Sequence, residues 1–242
     1  LNSNYEKNEF GTGTSRGKVL AMRFSFLPLL IVILLPLQSV AQGLIHGGQF
    51  WSLNTLRGPL DEKGNWDYYL EIQPRIDFED SDRNRVLIRP AVIFNLDSDQ
   101  TLWAGVLDLA DADLTMREFR PWQQYQRVDR PEGLILLNRT RLEERIRQGE
   151  TDLGLRIRHM LRTQIPLGDQ KKWSVVVFDE IFLGLNENKS QPMRGFDQNR
   201  IFAGFRVELE SQLGIEFGYL NQHDGTRMNH IPFVTVGKVI QR

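Results

Sequence analysis

The chain has 242 residues, 40% hydrophobic and 25% charged, with a formal net charge of −1 and no cysteine. A near-neutral balance argues against a nucleic-acid partner. The lack of cysteine excludes disulfides, thiolate metal sites and a lipid carried on a cysteine.

In chain order, the first organised signal is residues 22–41, MRFSFLPLLIVILLPLQSVA. Met22 and Arg23 form a short charged start, Phe24 to Leu37 an apolar run, and Ser39 and Ala41 put small residues where a signal peptidase reads. This is the pattern of a secretory signal peptide. The run is shorter than the roughly 20 residues a membrane helix needs, and Pro28 and Pro36 interrupt it. Residues 1–21 are expected to be an untranslated upstream segment, leaving residues 42–242 as one domain. Without the four basic and two acidic residues of the first 41, that domain carries 26 basic and 29 acidic residues.

A short first strand is expected over 50–57. Residues 66–78 then alternate strictly. Trp66, Tyr68, Leu70, Ile72, Ile76 and Phe78 share one face with Pro74, while Asp67, Glu71, Gln73, Arg75 and Asp77 share the other, with Tyr69 as the exception. Period-two alternation of this length predicts a long β-strand. It recurs over 85–96, where Val86, Ile88, Val92, Phe94 and Leu96 oppose Arg85, Arg89 and Asn95. Weaker strands are expected at 101–109 and 117–128.

Residues 139–164 hold seven arginines interleaved with leucine and isoleucine. Both a helix and a hairpin fit the aliphatic spacing. Gly149 and Gly154 would each weaken a helix by about 1 kcal/mol, so a hairpin turning at Gln148-Gly149 is expected. Pairing Arg141 with Arg156 and Arg139 with Arg158 puts both arginine faces on the same side. Further strands are expected at 172–186, 200–210, 212–222 and 230–240. Loop-like sequence separates the strands, and no segment requires a helix.

These features predict an all-β fold, an up-and-down antiparallel transmembrane β-barrel of 10–12 strands, with an even number expected. Alternation alone does not say which face is wet. The export signal, the strand length and aromatics near strand ends (Trp66, Tyr68, Phe78, Phe94, Trp173 and Tyr219) place the apolar face against lipid. The opposite register would put the charges of 66–78 into lipid, where each Arg or Lys at the midplane costs about 2–4 kcal/mol.

The segments GFDQNRIFAGFRVELESQLGIEFGYLNQ (195–222), RTRLEERI (139–146), FDEIFLGLN (178–186), LWAGV (102–106) and RPWQQYQ (120–126) resemble a bacterial family of outer-membrane barrels defined only as a domain of unknown function. FDQNR and GYLNQ are the most specific pieces. The resemblance implies an outer-membrane barrel and carries no activity or catalytic residues. The chain ends KVIQR, whereas outer-membrane barrels usually end in an aromatic residue.

The expected lumen network comprises Arg139, Arg141, Arg145, Arg156, Arg158, Arg162 and Arg200 with Glu143, Glu180, Glu208 and Glu216. It could bind a small anionic solute, but a narrow barrel fills its interior with side chains, which favours a structural role. Phe196, Asp197, Gln198, Asn199 and Arg200 could form a ligand site where a loop joins the wall; the structural reading is a turn leading into a strand. Glu180 beside Asp179 could act as an acid or ligate a metal, but pairing with a lumen arginine is the favoured reading.

A hydrolase needs a nucleophile within reach of a histidine. His46, His159, His223, His230 and Ser211 suggest no such set, and no metal-ligand spacing appears. The expectation is a non-enzymatic outer-membrane protein with no cofactor, lipid as its surroundings, and a structural, solute-binding or narrow-channel role. The alternatives are a soluble periplasmic barrel binding an apolar ligand and a membrane-embedded lipid hydrolase dependent on His223 or His230.

Overall fold

A computed structural model describes residues 45–111, 117–168, 170–209 and 212–240. The expected upstream segment 1–21 and signal peptide 22–41 lie outside these residues, as does Ser211. The described residues form eleven strands: β1 (Ile45–Pro59), β2 (Trp66–Asp77), β3 (Arg85–Asn95), β4 (Gln100–Asp111), β5 (Arg117–Asp129), β6 (Ile135–Arg147), β7 (Gly154–Leu167), β8 (Trp173–Gly184), β9 (Gly195–Glu208), β10 (Leu213–His223) and β11 (Arg227–Val239). No α-helix occurs among the described residues; short 3-10 turns at Ser81–Arg83 and Pro131–Gly133 link strands.

Each strand pairs antiparallel with the next, and β1 closes the barrel by pairing in parallel with β11. Direction alternates along an up-and-down series, so with an odd count the first and last strands point the same way. The expected even number is therefore corrected to eleven. Stepping from partner to partner around the wall from Trp51 returns to β1 about 14 residues farther on, a shear that tilts the strands by roughly 45°. Strands of 11–15 residues rising about 3.3 Å each then span roughly 25–35 Å along the barrel axis.

Alternation sorts each strand between the two sides of the wall. On β2, Asp67, Glu71, Gln73 and Asp77 are buried inside, while Trp66, Leu70, Ile72 and Ile76 are exposed outside. On β7, Arg156, Arg158 and Met160 are buried, and His159, Leu161 and Ile165 are exposed. Several outward polar groups are paired: Asp179 accepts from Asn199 Nδ2 at 2.5 Å, Asp108 pairs with Arg117, and Thr140 hydrogen-bonds His159 at 2.9 Å.

Two apolar clusters also lie inside. Trp51, Met160, Val176, Phe178, Phe202, Leu220, Ile231 and Phe233 line one side; Leu87, Ala91, Leu107, Leu109 and Trp122 line another. Gly204 and Gly218 face each other across β9 and β10, and a Cβ on either would meet the Phe202 ring within 3 Å. These glycines make room for an inward aromatic.

Three local expectations change. The first strand is fifteen residues rather than eight, because the parallel pairing with β11 extends along it. The arginine hairpin pairs Arg141 with Arg158 and Arg145 with Gly154, two residues from the expected register, because residues 148–153 all belong to the connection. A two-residue shift preserves side-chain parity, so both arginine rows still face inward. Of the expected end aromatics, Trp66, Phe94 and Trp173 sit at strand ends, but Tyr219 is in the middle of β10.

Candidate functional site

The inward rows of β6, β7, β8 and β9 meet in a buried ionic network. Glu143, 1% exposed, is its centre. It accepts from Arg156 Nη2 at 2.6 Å and Nε at 3.0 Å, and from Arg158 Nη1 at 2.5 Å. Arg158 also donates to Glu180 at 2.8 Å, and Glu180 receives Arg139 at 2.7 Å with Arg200 at 3.9 Å. Arg141 gives both Nε and Nη2 to Gln124 Oε1, stacks 4.1 Å above Trp122 and lies 3.9 Å from Glu143. Alternation brings this about: arginines and acids at successive inward positions on neighbouring strands interleave.

Satellite pairs surround the centre. Arg162 grips Glu216 through two bonds of 2.9 and 2.7 Å. Arg145 and Arg120 share Glu118, at 2.6 and 2.7 Å. Glu71 binds Arg89 and accepts the Tyr69 hydroxyl at 2.8 Å, so the apparent exception on β2 is an inward tyrosine. Glu208 stands apart: it pairs with Arg206 at the end of β9 and does not join the network.

The FDQNR segment is divided by the wall. β8 and β9 slip in register between Phe182 and Leu183, so that Phe182 pairs with Gln198 and Leu183 with Phe196. Asp197 is the extra residue, and this bulge lets it reach Arg156 at 2.7 Å and Gln191 at 3.1 Å inside the barrel. Gln198 lies beside Arg200. Arg200 donates to Gln222 at 3.0 Å. Asn199 faces outward to Asp179, and Phe196 packs against His223 with ring centroids 6.0 Å apart. The expected turn leading into a strand is thus a bulged strand start.

The connection from β8 to β9 folds over this end of the barrel. Ser190 and Gln191 are fully buried, and Gln191 accepts from Arg145 at 2.8 Å. Glycine permits the inward fold: a Cβ at Gly184 would lie 2.0 Å from the Met193 carbonyl oxygen, and one at Gly154 2.9 Å from Gln191 Cβ.

The network members missed from the sequence are Glu118, Arg120, Gln124 and Gln191. The first three share one parity of β5 with Trp122, so alternation over 117–128 contained the signal. Gln191 is in a loop, where no periodicity points inward. His230 lies on the outer wall between Tyr219, 2.5 Å from its Nδ1, and His46, 3.0 Å from its Nε2. Nearly every arginine of the expected network is matched by a carboxylate or amide, so its chemistry is mutual neutralisation. That arrangement cross-links the wall from β5 to β10.

A family model described as "Protein of unknown function (DUF2490)" matches residues 48–230. An uncharacterized protein of Methylorubrum extorquens is 31% identical over 194 residues, covering 77% of this chain and 83% of that protein. No solved structure matches the chain.

Proposed function

The chain belongs to this family of proteins of unknown function, and from that premise we propose that it is an outer-membrane β-barrel with an ion-paired interior, serving as a structural or solute-binding barrel rather than an open pore or an enzyme. It would be exported by residues 22–41 to the outer membrane of a Gram-negative bacterium, with lipid as its outer partner.

The observation that carries this reading is the inversion of burial. Among the described residues thirty large hydrophobic side chains are exposed, including Ile72, Ile88, Val177, Ile201 and Phe217, while Glu143, Arg141, Arg145, Arg156 and Arg158 are buried. Soluble monomers rarely expose a contiguous apolar patch above a few hundred Å². A charged interior under an apolar belt is the arrangement a lipid surround requires. The strands' span of roughly 25–35 Å matches an apolar band of about 25 Å.

The soluble alternative, with an apolar ligand inside, is poorly supported because Arg, Glu and Gln side chains occupy the centre of the lumen. The hydrolase alternative fares no better. His230 bonds the Tyr219 phenol and His46, and His223 packs against Phe196, so among the described residues neither imidazole meets a serine or threonine hydroxyl that it could deprotonate.

The test is electrophoresis of the outer-membrane fraction with and without boiling. A folded membrane barrel is expected in that fraction and shifts its migration on heating. Recovery in the periplasmic fraction without a heat shift would refute the reading, and would make the apolar face a solvent or partner surface.

A further inference from the structure

Away from the paired network, the end of the barrel where β1 starts holds a cavity of about 280 Å³. Gln49 and Trp51 of β1, Arg75 and Asp77 of β2, Arg83, Arg85 of β3, Gln222, Asp224, and Arg227 and Asn229 of β11 line it. The volume is several times the roughly 30 Å³ share of one water. The β8–β9 connection covers the strands on the other side of this mouth and leaves this part open.

Two of its arginines are anomalous. Arg75 and Arg85 are direct cross-strand partners on the inward face. Like charges placed so are destabilising unless something intervenes. Neither has a carboxylate within ion-pair distance among the described residues. Arg75 gives Nε and Nη2 to Gln73 and lies 3.8 Å from the Trp51 ring centroid. The Arg85 Nε is buried with no hydrogen-bond partner.

Asp111 of β4 is the buried cross-strand partner of Arg85 on its other side, beyond ion-pair distance, and the remaining nearby acids are committed elsewhere. Asp77 accepts from the Glu79 and Asp80 amides and from Gln49; Asp224 accepts from Thr226 and the Arg227 amide. Glu79 holds Arg227 and Asp80 holds Arg83 at the rim. Trp51 packs against both Arg75 and Arg200, whose guanidiniums lie 3.8 and 4.9 Å from its ring centroid.

We propose that this mouth is an oxyanion site, in which a phosphate group bridges the Arg75 and Arg85 guanidiniums, with Arg83 and Arg227 at its rim. Two forked donors meeting at a cavity suit bidentate phosphate recognition. The bridge would offset the repulsion between the paired arginines. The inference rests on the solute-binding part of the reading above and gives it a ligand class. It does not depend on the membrane location.

The test is calorimetric titration of the full-length protein, in zwitterionic detergent, with sodium phosphate against sodium chloride at equal ionic strength. Saturable phosphate binding that chloride does not reproduce is expected. R75Q and R85Q should each weaken it by roughly tenfold or more, the worth of a charge-assisted hydrogen bond. R130Q, at the opposite mouth, should leave it unchanged. If R75Q does not fold, R83Q at the exposed rim should still lower the affinity. Repeating the titration with added phosphatidylglycerol separates two sources of phosphate. Competition assigns a lipid headgroup, and no competition a free anion. Absence of saturable binding to the folded wild-type protein, or equal binding by R75Q and R85Q, overturns the site. A heat-shifting membrane protein that binds no phosphate would overturn this inference alone.

Discussion

Replacing Glu143 by glutamine tests whether the interior network holds the barrel together. The substitution keeps the side-chain volume and removes one charge at a site 1% exposed. Three charge-assisted bonds, from Arg156 Nε and Nη2 and Arg158 Nη1, lose their anion. Arg158 keeps Glu180 and Arg156 keeps Asp197, so neither guanidinium is wholly orphaned. Breaking one partner of a buried pair typically costs about 3–5 kcal/mol, and the retained partners place this case towards the lower end. Guanidinium unfolding followed by tryptophan fluorescence in one detergent measures it. Asp129→Asn, which breaks the exposed pair with Arg127, is the matched control and should change stability far less than Glu143→Gln, because solvent screens the pair. Adding Arg158→Met to Glu143→Gln should recover part of the loss, because it removes a cation that no longer has its full complement of acids. A Glu143→Gln protein within about 1 kcal/mol of wild type would refute the reasoning. Water in the lumen would then be screening the pair, and the network would not be the wall's cross-link.

Other expectations follow from the same geometry. Ile72→Arg puts a cation on the outer face of β2, where Ile72 pairs with Ile88; in bilayers it should destabilise assembly by about 2–4 kcal/mol, measured as the heat-modifiable fraction in vesicles, whereas an indifferent result would mean the position is wet. Phe202→Ala removes a fully buried ring packed between Phe178 and Phe233 and should cost about 3–5 kcal/mol in the same unfolding assay; a smaller loss would show that Gly204 and Gly218 let the wall collapse into the gap. Asp97, in the β3–β4 turn, is held below the ordinary carboxylate range, first by the Asp99 amide and then by the Gln100 amide and side chain. Its contribution to turn stability is therefore present above the ordinary aspartate pKa and lost as pH falls through its own lower value. Carbon-13 detection of its carboxyl should show a midpoint below that of a model aspartate, and an ordinary midpoint would mean the turn bonds do not persist.

Much of this barrel was legible one strand at a time. Parity is local: once Ile72 faces out, Glu71 and Gln73 face in, whatever the neighbouring strand does. For that reason the inward assignment of Arg141, Glu143, Arg156 and Glu180 survived a two-residue error in the hairpin register. The same rule placed Glu118, Arg120 and Gln124 inside, although the weaker alternation of β5 hid them. The family resemblance agreed with the barrel expected from alternation and supplied no residue roles.

What required the tertiary structure is whatever depends on closure. The alternation of 66–78 or 139–147 makes a strand without counting strands, so the odd number and the parallel seam between β1 and β11 were decided only when the ends met. Which carboxylate an arginine takes depends on register around the whole wall, and this set Glu208 apart from Arg158 and left Arg75 facing Arg85. Asp197 points inward against its parity because β8 and β9 slip by one residue, and Gln191 enters the lumen because Gly154 and Gly184 leave space for its loop. Sequence period determines which side of a sheet a residue faces. Only the closed wall determines what it meets there, since the partners come from strands far apart in the chain.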